Sequence, residues 1–373
     1  MKKNLFLLTV LAVFMTACDP MPMPPIPNPQ PDPEIAAELM GFYLLCEGNM
    51  GDDDAALDYY HFGTQAYAKN VYASVGTLGD IGNDIGIYKN HIFIVLNGSN
   101  KIVVLRKDTR TFVTQIPLNG VRYISFAGNK AYASAYNIAE PGTQAATKGI
   151  VAEIELDNFT ITKTVEVGRQ PEQMAIVGSK LYVANSGGYQ YADAALDYET
   201  TISVININTF QKIEDIETGV PNLFRIQADS DGDLYVASYS WMPSAAFFVI
   251  DPETKTKKKT FDFLADGFCI ANGFVYSYYF DMYAWEPAFC KINTATDSYA
   301  SDFLTEDSFD DNMTTLMFPY GIAVDPKTGS IFLADNNGYS TTTGSLNIIN
   351  THGEVEKVIQ TNAFPGHFAF DYK

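Results

Sequence analysis

The residues with the most chemical content fall into two neighbouring rows. One row holds Asp84, Tyr123, Gln173, Arg225, Gly267, Gly321 and His367. One residue earlier in each case stand Asn83, Arg122, Glu172, Phe224, Asp266, Tyr320 and Gly366. These mixed polar and aromatic groups suit recognition of a ligand rich in amides, which needs Asn, Gln, Asp and backbone partners. Arg122, Arg169 and Arg225 are the natural partners for a phosphate. A second set is aromatic and lies in segments rich in turn residues: Tyr189, Tyr191, Tyr239, Trp241, Tyr283, Trp285 and Tyr339. Such side chains offer wide contact area at low entropic cost, and loops on a rigid scaffold are where binding concentrates. Bond-making chemistry has little to work with. There is no Gly-x-Ser-x-Gly elbow, no His-Glu-x-x-His and no phosphate loop, and the 4 histidines are His61, His91, His352 and His367. Asp229-Ser230-Asp231-Gly232-Asp233 resembles the start of a calcium loop, but it lacks the later ligands and reads as an Asp-Gly turn. No catalytic residue, resident cofactor or metal is expected.

The two rows depend on a repeat. An apolar segment with an aromatic at one register recurs as FYLLCEGN, HIFIVLNG, KAYASAY, KLYVANSGG, DLYVASYS, FVYSYYF and SIFLADNNG. The aromatics are Tyr43, Phe93, Tyr132, Tyr182, Tyr235, Tyr276 and Phe332, so the spacing is about 40 to 55 residues, the period of propeller blades. A short apolar strand precedes each copy and two more follow, joined by Gly, Asn and Asp turns. The fold class expected is therefore all-β, a seven-bladed β-propeller of four-stranded antiparallel blades. The N-terminal copy lacks a first strand, and the C-terminal PGHFAFDYK reads like one. Residues 366–371 are expected to pair with residues 42–46 and so close the ring without an open edge. In this register the ligand face is built by the entries to the innermost strands and by the loops between second and third strands. Those loops are 136–149, 186–199, 239–245, 279–286 and 336–344.

The N-terminus sets the expected compartment. Lys2 and Lys3 precede an apolar run from Leu5 to Phe14, and Met15-Thr16-Ala17-Cys18 ends it. This is the layout of a secretory signal peptide over 1–17. The cysteine at its edge resembles a bacterial lipobox, with Met15 where leucine is usual, so Cys18 is the expected lipidation site. Residues 18–34 then form the lipidated cysteine and a proline-rich linker, whose run 19–33 at about 3.1 Å per residue would reach roughly 45 Å. The propeller is assigned to 35–373. Cys46, Cys269 and Cys290 form no disulfide framework or metal pair and read as small buried residues in strands. The signal carries two of the 24 basic residues and none of the 44 acidic ones. So acidic an extracytoplasmic chain is not built for nucleic acid or for charge docking on anionic lipid. Membrane attachment is expected through the lipid alone.

LYVAN followed by TISVININTF resembles the surface-layer type of propeller repeat, the YVTN or YncE-like family. Three further segments, CEGNMGDDDAALDYY, LGDIGNDIGIYKNHIFIVLNGSNKIVVL and VGRQPEQMAIVGSKLYVANSGGYQ, resemble the lipid-anchored BtuG-like propellers of gut Bacteroidetes. That resemblance implies capture of cobalamin (vitamin B12) and related corrinoids at the outer-membrane surface, and delivery to a TonB-dependent, BtuB-like transporter. It carries over no site residues. A corrinoid has a wide apolar face, many carboxamides and one phosphodiester, which matches the two sets above. His367 reads as a hydrogen-bonding group at a channel mouth rather than as a cobalt ligand. Two other classes stay open. Glu47, Asn97, Asn185 and Asp335 at matching strand ends are candidate cation ligands for a metal-dependent lactonase or hydrolase. A glycan- or protein-binding adaptor would use the same aromatic loops.

Overall fold

The computed structural model describes residues 38–72, 76–137, 147–188, 198–242, 244–304, 316 and 318–373. Cys18, the signal segment and the proline-rich linker lie outside the described residues, as do Tyr189 and Tyr191.

The chain opens with β1 (Leu39–Cys46), β2 (Ala56–His61) and β3 (Ala66–Ala68). Blade two is β4 (Gly82–Tyr88), β5 (His91–Leu96), β6 (Lys101–Arg106) and β7 (Phe112–Pro117). Blade three is β8 (Val121–Ala127), β9 (Lys130–Ala135), β10 (Lys148–Glu155) and β11 (Thr160–Arg169). Blade four is β12 (Pro171–Val177), β13 (Lys180–Asn185), β14 (Thr201–Asn206) and β15 (Gln211–Glu217). Blade five is β16 (Leu223–Ala228), β17 (Leu234–Ser238), β18 (Phe247–Asp251) and β19 (Thr256–Thr260). Blade six is β20 (Gly267–Ala271), β21 (Phe274–Asp281), β22 (Glu286–Asn293) and β23 (Ser298–Ser301). Blade seven is β24 (Pro319–Val324), β25 (Ile331–Asp335), β26 (Ser345–Ile349) and β27 (Val355–Gln360). The last strand, β28 (Pro365–Tyr372), returns to lie beside β1.

Seven four-stranded antiparallel sheets result, with no helix among the described residues. Ring closure is as the sequence suggests: Phe42 pairs with Phe370, Leu44 with Phe368 and Leu45 with His367. Pairing the two chain ends in one sheet removes the seam at which an open ring would expose strand edges. An aromatic cluster locks it. Phe42 packs against Tyr60, Phe62, Phe332, Phe368 and Phe370.

The repeated aromatic explains the blade stack. Tyr43, Phe93, Tyr132, Tyr182, Tyr235, Tyr276 and Phe332 are all buried, because the second strand of each blade is covered on both faces by its neighbours. That is why these strands read as continuous apolar runs. The outermost strands face solvent, as in Thr256–Thr260, where every residue is exposed. Side chains of the inner strands also cross between blades. Asp84 accepts from the backbone N–H of Ile124 at 2.9 Å, Gln173 from Ile226 at 3.0 Å and Gln227 from Ile270 at 3.2 Å. Each such bond satisfies a backbone donor that faces the central channel and has no strand partner there.

Two expectations are refined. The 279–286 loop is shorter, because β21 and β22 stay paired as far as Asp281 and Glu286. Asp281 Oδ1 accepts the N–H groups of Tyr283 and Ala284, and Trp285 takes a φ of 60°, which closes a tight hairpin. All three cysteines lie in strands and are free, but only Cys46 is fully buried, while Cys269 and Cys290 are half-buried. Burial pushes the Cys269 thiol up to about 12, so it is unreactive at neutral pH. The Asp229–Asp233 segment is a hairpin turn in which Asp229 Oδ1 accepts the N–H groups of Asp231 and Asp233.

Candidate functional site

Strand direction defines two faces. Glu47 and Phe364 stand at one end of the closing blade, and Leu39 and Tyr372 at the other. On the first face the entries to the inner strands and the second-to-third loops surround a cavity of about 750 Å³. Below it, along the axis, lies a smaller space of about 240 Å³. The two sequence rows separate at most positions, although Tyr123 of the first row lines the upper cavity and Gly366 of the second lines the lower channel. Asn83, Arg122, Phe224, Asp266 and Tyr320 line the upper cavity. Asp84, Gln173, Gly267 and Gly321 line the lower channel. Arg225, Tyr278, Tyr320 and His367 line both and so form a waist between them.

The upper cavity is chemically lopsided. Blades two to four contribute Ile81, Asn83, Asn97, Asn100, Arg122, Tyr123, Tyr136 and Gln170. Blades five to seven contribute Phe224, Tyr239, Trp241, Tyr278, Phe280, Met282, Phe318, Tyr320 and Tyr339. One arc is therefore rich in amides and the other, which also carries Arg225, Ser240 and Asp266, is largely aromatic. The aromatic arc is rigid. Phe224 stacks on Tyr239 at 4.1 Å, and Phe318 packs on Tyr339 at 4.1 Å and edge-on to Phe280 at 5.0 Å. Trp241 extends this surface, half exposed, 6.0 Å from Tyr239.

In the amide arc, Arg122 is fully engaged. Its Nε and Nη2 each lie 2.9 Å from Glu172 Oε2, and its Nη1 donates to Asn83 Oδ1. Asn83 returns a bond to the Arg122 carbonyl at 2.6 Å, and Tyr136 donates to the other Glu172 oxygen. Burial alone would disfavour the guanidinium charge, but the Glu172 carboxylate keeps it firmly protonated. This cluster links the inner strands of three blades. Glu172 is completely buried and does not reach the cavity surface. Arg169 is likewise paired, its Nε 3.1 Å from Glu199, and it lines neither space.

Arg225 differs. Its Nη1 donates to the Tyr123 hydroxyl at 2.8 Å, and its guanidinium lies over the rings of Phe224 and Tyr123 at 5.1 and 5.7 Å. Its Nε is buried with no hydrogen-bond partner, and it has no carboxylate within ion-pair distance among the described residues. Across the waist, Glu47 accepts from Tyr320 at 2.8 Å and meets His367 Nε2 at 3.0 Å. Burial would raise the Glu47 pKa, yet the bonds from His367 and Tyr320 outweigh it and hold the carboxyl below its ordinary value. His367 thus has a hydrogen-bonding role in the ring. Gly267 lets the waist close: a Cβ there would come within 2.5 Å of the Tyr278 ring.

Tyr283 and Trp285 project from the blade-six hairpin and do not line the cavity. Their neighbours Phe280 and Met282 do, and these were not singled out in the sequence. Tyr278, Phe318, Met50 and Phe364 were also missed. The available signal was the alternation Tyr276, Tyr278, Phe280, which carries one face of β21 past the usual strand end.

The four candidate cation ligands are separately occupied. Glu47 serves the waist, and Asn97 donates to the Val121 carbonyl at 2.8 Å. Asn185 donates to Thr201 and Ser203, and Asp335 accepts from the N–H groups of Phe318 and Asn337. Among the described residues no group of three or more His, Cys, Asp or Glu side chains is placed to hold a metal ion.

Comparison with known proteins adds a family and a fold. No curated protein matches the chain. Among solved structures, hydrazine synthase of Kuenenia stuttgartiensis is similar, with a TM-score of 0.56 over 72% of this chain and 76% of that one. At 15% identity that likeness concerns the fold alone. The family model described as "Domain of unknown function (DUF5074)" matches residues 40–371, from the first strand of the ring to the last, and the chain belongs to that family.

Proposed function

We propose that this propeller captures a corrinoid at the lopsided mouth and passes it to a TonB-dependent outer-membrane transporter. The observation that carries the reading is the division of one 750 Å³ cavity into an aromatic arc and an amide arc. A ligand that fits both must present a broad apolar face and peripheral hydrogen-bonding groups. A corrin ring with its carboxamides is such a ligand, and the sequence resemblance points the same way. The arcs are held by packed rings and by inter-blade hydrogen bonds, so little ordering is left to be done on binding. No catalytic group is required.

The direction of the chain supports the hand-off. The chain enters β1 at Leu39, on the face opposite the mouth. A lipid on Cys18 and the proline-rich linker would leave the mouth turned away from the outer membrane, towards the medium from which ligand arrives. Delivery then requires the propeller to swing over the transporter on its linker.

The test is isothermal titration of the protein with cyanocobalamin and with cobinamide, with and without EDTA. One-to-one binding that EDTA does not alter is expected. No heat with either corrinoid would overturn the reading, and glycans and lactones would be the next ligands to try.

A further inference from the structure

We infer that Arg225 is an oxyanion receptor at the waist of the propeller and takes a carboxylate or phosphate group of whatever ligand fills the mouth. This deepens the capture reading, and it rests on the cavity rather than on the identity of the ligand.

Three observations carry it. First, the charge is unspent. A buried guanidinium is costly unless it is paired, and the two arginines of blade three are: Arg122 by Glu172, and Arg169 by Glu199; Arg110 also has an orphaned Nε, but it lies over Tyr43 and Tyr59 and lines neither the mouth nor the channel. Arg225 has only the neutral Tyr123 hydroxyl, although the whole chain carries 44 acidic residues against 24 basic ones. Second, the geometry is fixed. The Tyr123 bond and the two ring contacts hold the guanidinium plane, while Nη2 makes no hydrogen bond and Nε is orphaned. Two donors on one edge of the fork are thus left over, the arrangement that accepts an oxyanion. Third, the place is accessible from the mouth. Arg225 lines both the upper cavity and the channel beneath it, and Tyr278, whose hydroxyl has no bonding partner among the described residues, stands beside it.

The facing charges agree with this assignment. Glu47, across the waist, is already held by His367 and Tyr320, Asp266 by Ser240 and the Phe280 N–H, and Asp84 by the N–H groups of Ile85 and Ile124. None of them is released to neutralise Arg225. An incoming oxyanion would complete the set, and the waist would stop the ligand from passing into the channel.

The experiment uses the full chain, isotope-labelled in arginine, with NMR detection of the guanidinium Nε–H signals. It is titrated in separate arms with inorganic phosphate and with acetate. A saturable shift of the Arg225 signal is expected in at least one arm, and the arm that responds tells phosphate from carboxylate. Arg225→Gln should abolish it, and Arg225→Lys should weaken it about tenfold or more by losing the fork. No saturable shift in either arm, or a shift that survives Arg225→Gln in the remaining arginines, would overturn the assignment. If the Gln variant fails to fold, the wild-type and Lys titrations still decide. A corrinoid titration on the same sample separates the two readings. Anion binding without corrinoid binding leaves the receptor and removes the corrinoid. Corrinoid binding without an anion response does the reverse.

Discussion

The two arcs of the mouth are built on the same blade plan and do different work. In blades two to four, polar side chains at the inner-strand entries are spent on one another: Asn83, Arg122, Tyr136 and Glu172 form one closed network. In blades five and seven the corresponding places carry the rings of Phe224 and Tyr320, blade six carries Asp266, and the half-buried Arg225 is left without a carboxylate within ion-pair distance. The first arc holds the blades in register. The second leaves ring surface and a guanidinium open at the mouth. Local violations of polar satisfaction are expected where function lies, and among the charged side chains that line the mouth the orphaned donor is Arg225 Nε.

The sharpest way to break this contrast is to remove each arginine. Arg122→Ala would leave Glu172 buried and unpaired, at a cost of about 3–5 kcal/mol, seen as a fall in Tm of several degrees. Arg225→Ala removes one hydrogen bond and two ring contacts and should cost no more than about 1 kcal/mol. Equal losses from thermal melts of the two variants would erase the distinction. Next come the surfaces. Tyr239→Ala takes away one face of the Phe224 stack and should weaken ligand binding by about 2 kcal/mol, whereas Asn97→Ala should cost about 1 kcal/mol or less. Calorimetric titration of both variants ranks the arcs directly.

A smaller effect is expected at the waist. Gly267→Ala drives a methyl into the Tyr278 ring, and overpacking of this kind costs about 1–3 kcal/mol. The variant should bind ligand less well while its Tm falls modestly; an unchanged affinity would mean that Tyr278 is not part of the floor. Smallest is the pH effect of Glu47, where the arcs meet. Its folded-state pKa lies below its ordinary value of 4.5, so its contribution is complete above about pH 4.5 and is lost as pH falls through the lower folded value. Stability measured against pH should therefore fall less steeply below that point in Glu47→Gln than in the wild type.

Much of this was legible in the sequence, and for a definable reason. Blade register follows from an aromatic that recurs every 40 to 55 residues and from the period of two along each strand. Those rules placed Asn83 and Arg122 at the mouth and Asp84 and Gln173 one level below. What register cannot supply is partnership across blades. Glu172 is 50 residues from Arg122, and His367 is 320 residues from Glu47. Nothing local shows that one arginine is neutralised and another is not. The aromatic arc was half visible. Tyr239, Trp241 and Tyr339 stood out as loop residues, but Tyr278 and Phe280 look like ordinary strand residues until β21 is seen to run on to Asp281. Asp84 and Gln173 line the channel and also clasp the neighbouring blade, a bond that register alone does not show.

The central claim is that one ligand spans both arcs with its anionic group on Arg225. A crystal structure of the protein grown with saturating cyanocobalamin tests it most directly. The expected result is the corrin face against Phe224, Tyr239 and Phe318, carboxamides on Asn97 and Asn100, and the phosphodiester at Arg225. A corrinoid bound on the opposite face, or a mouth left empty while the ligand is present at saturation, would contradict it.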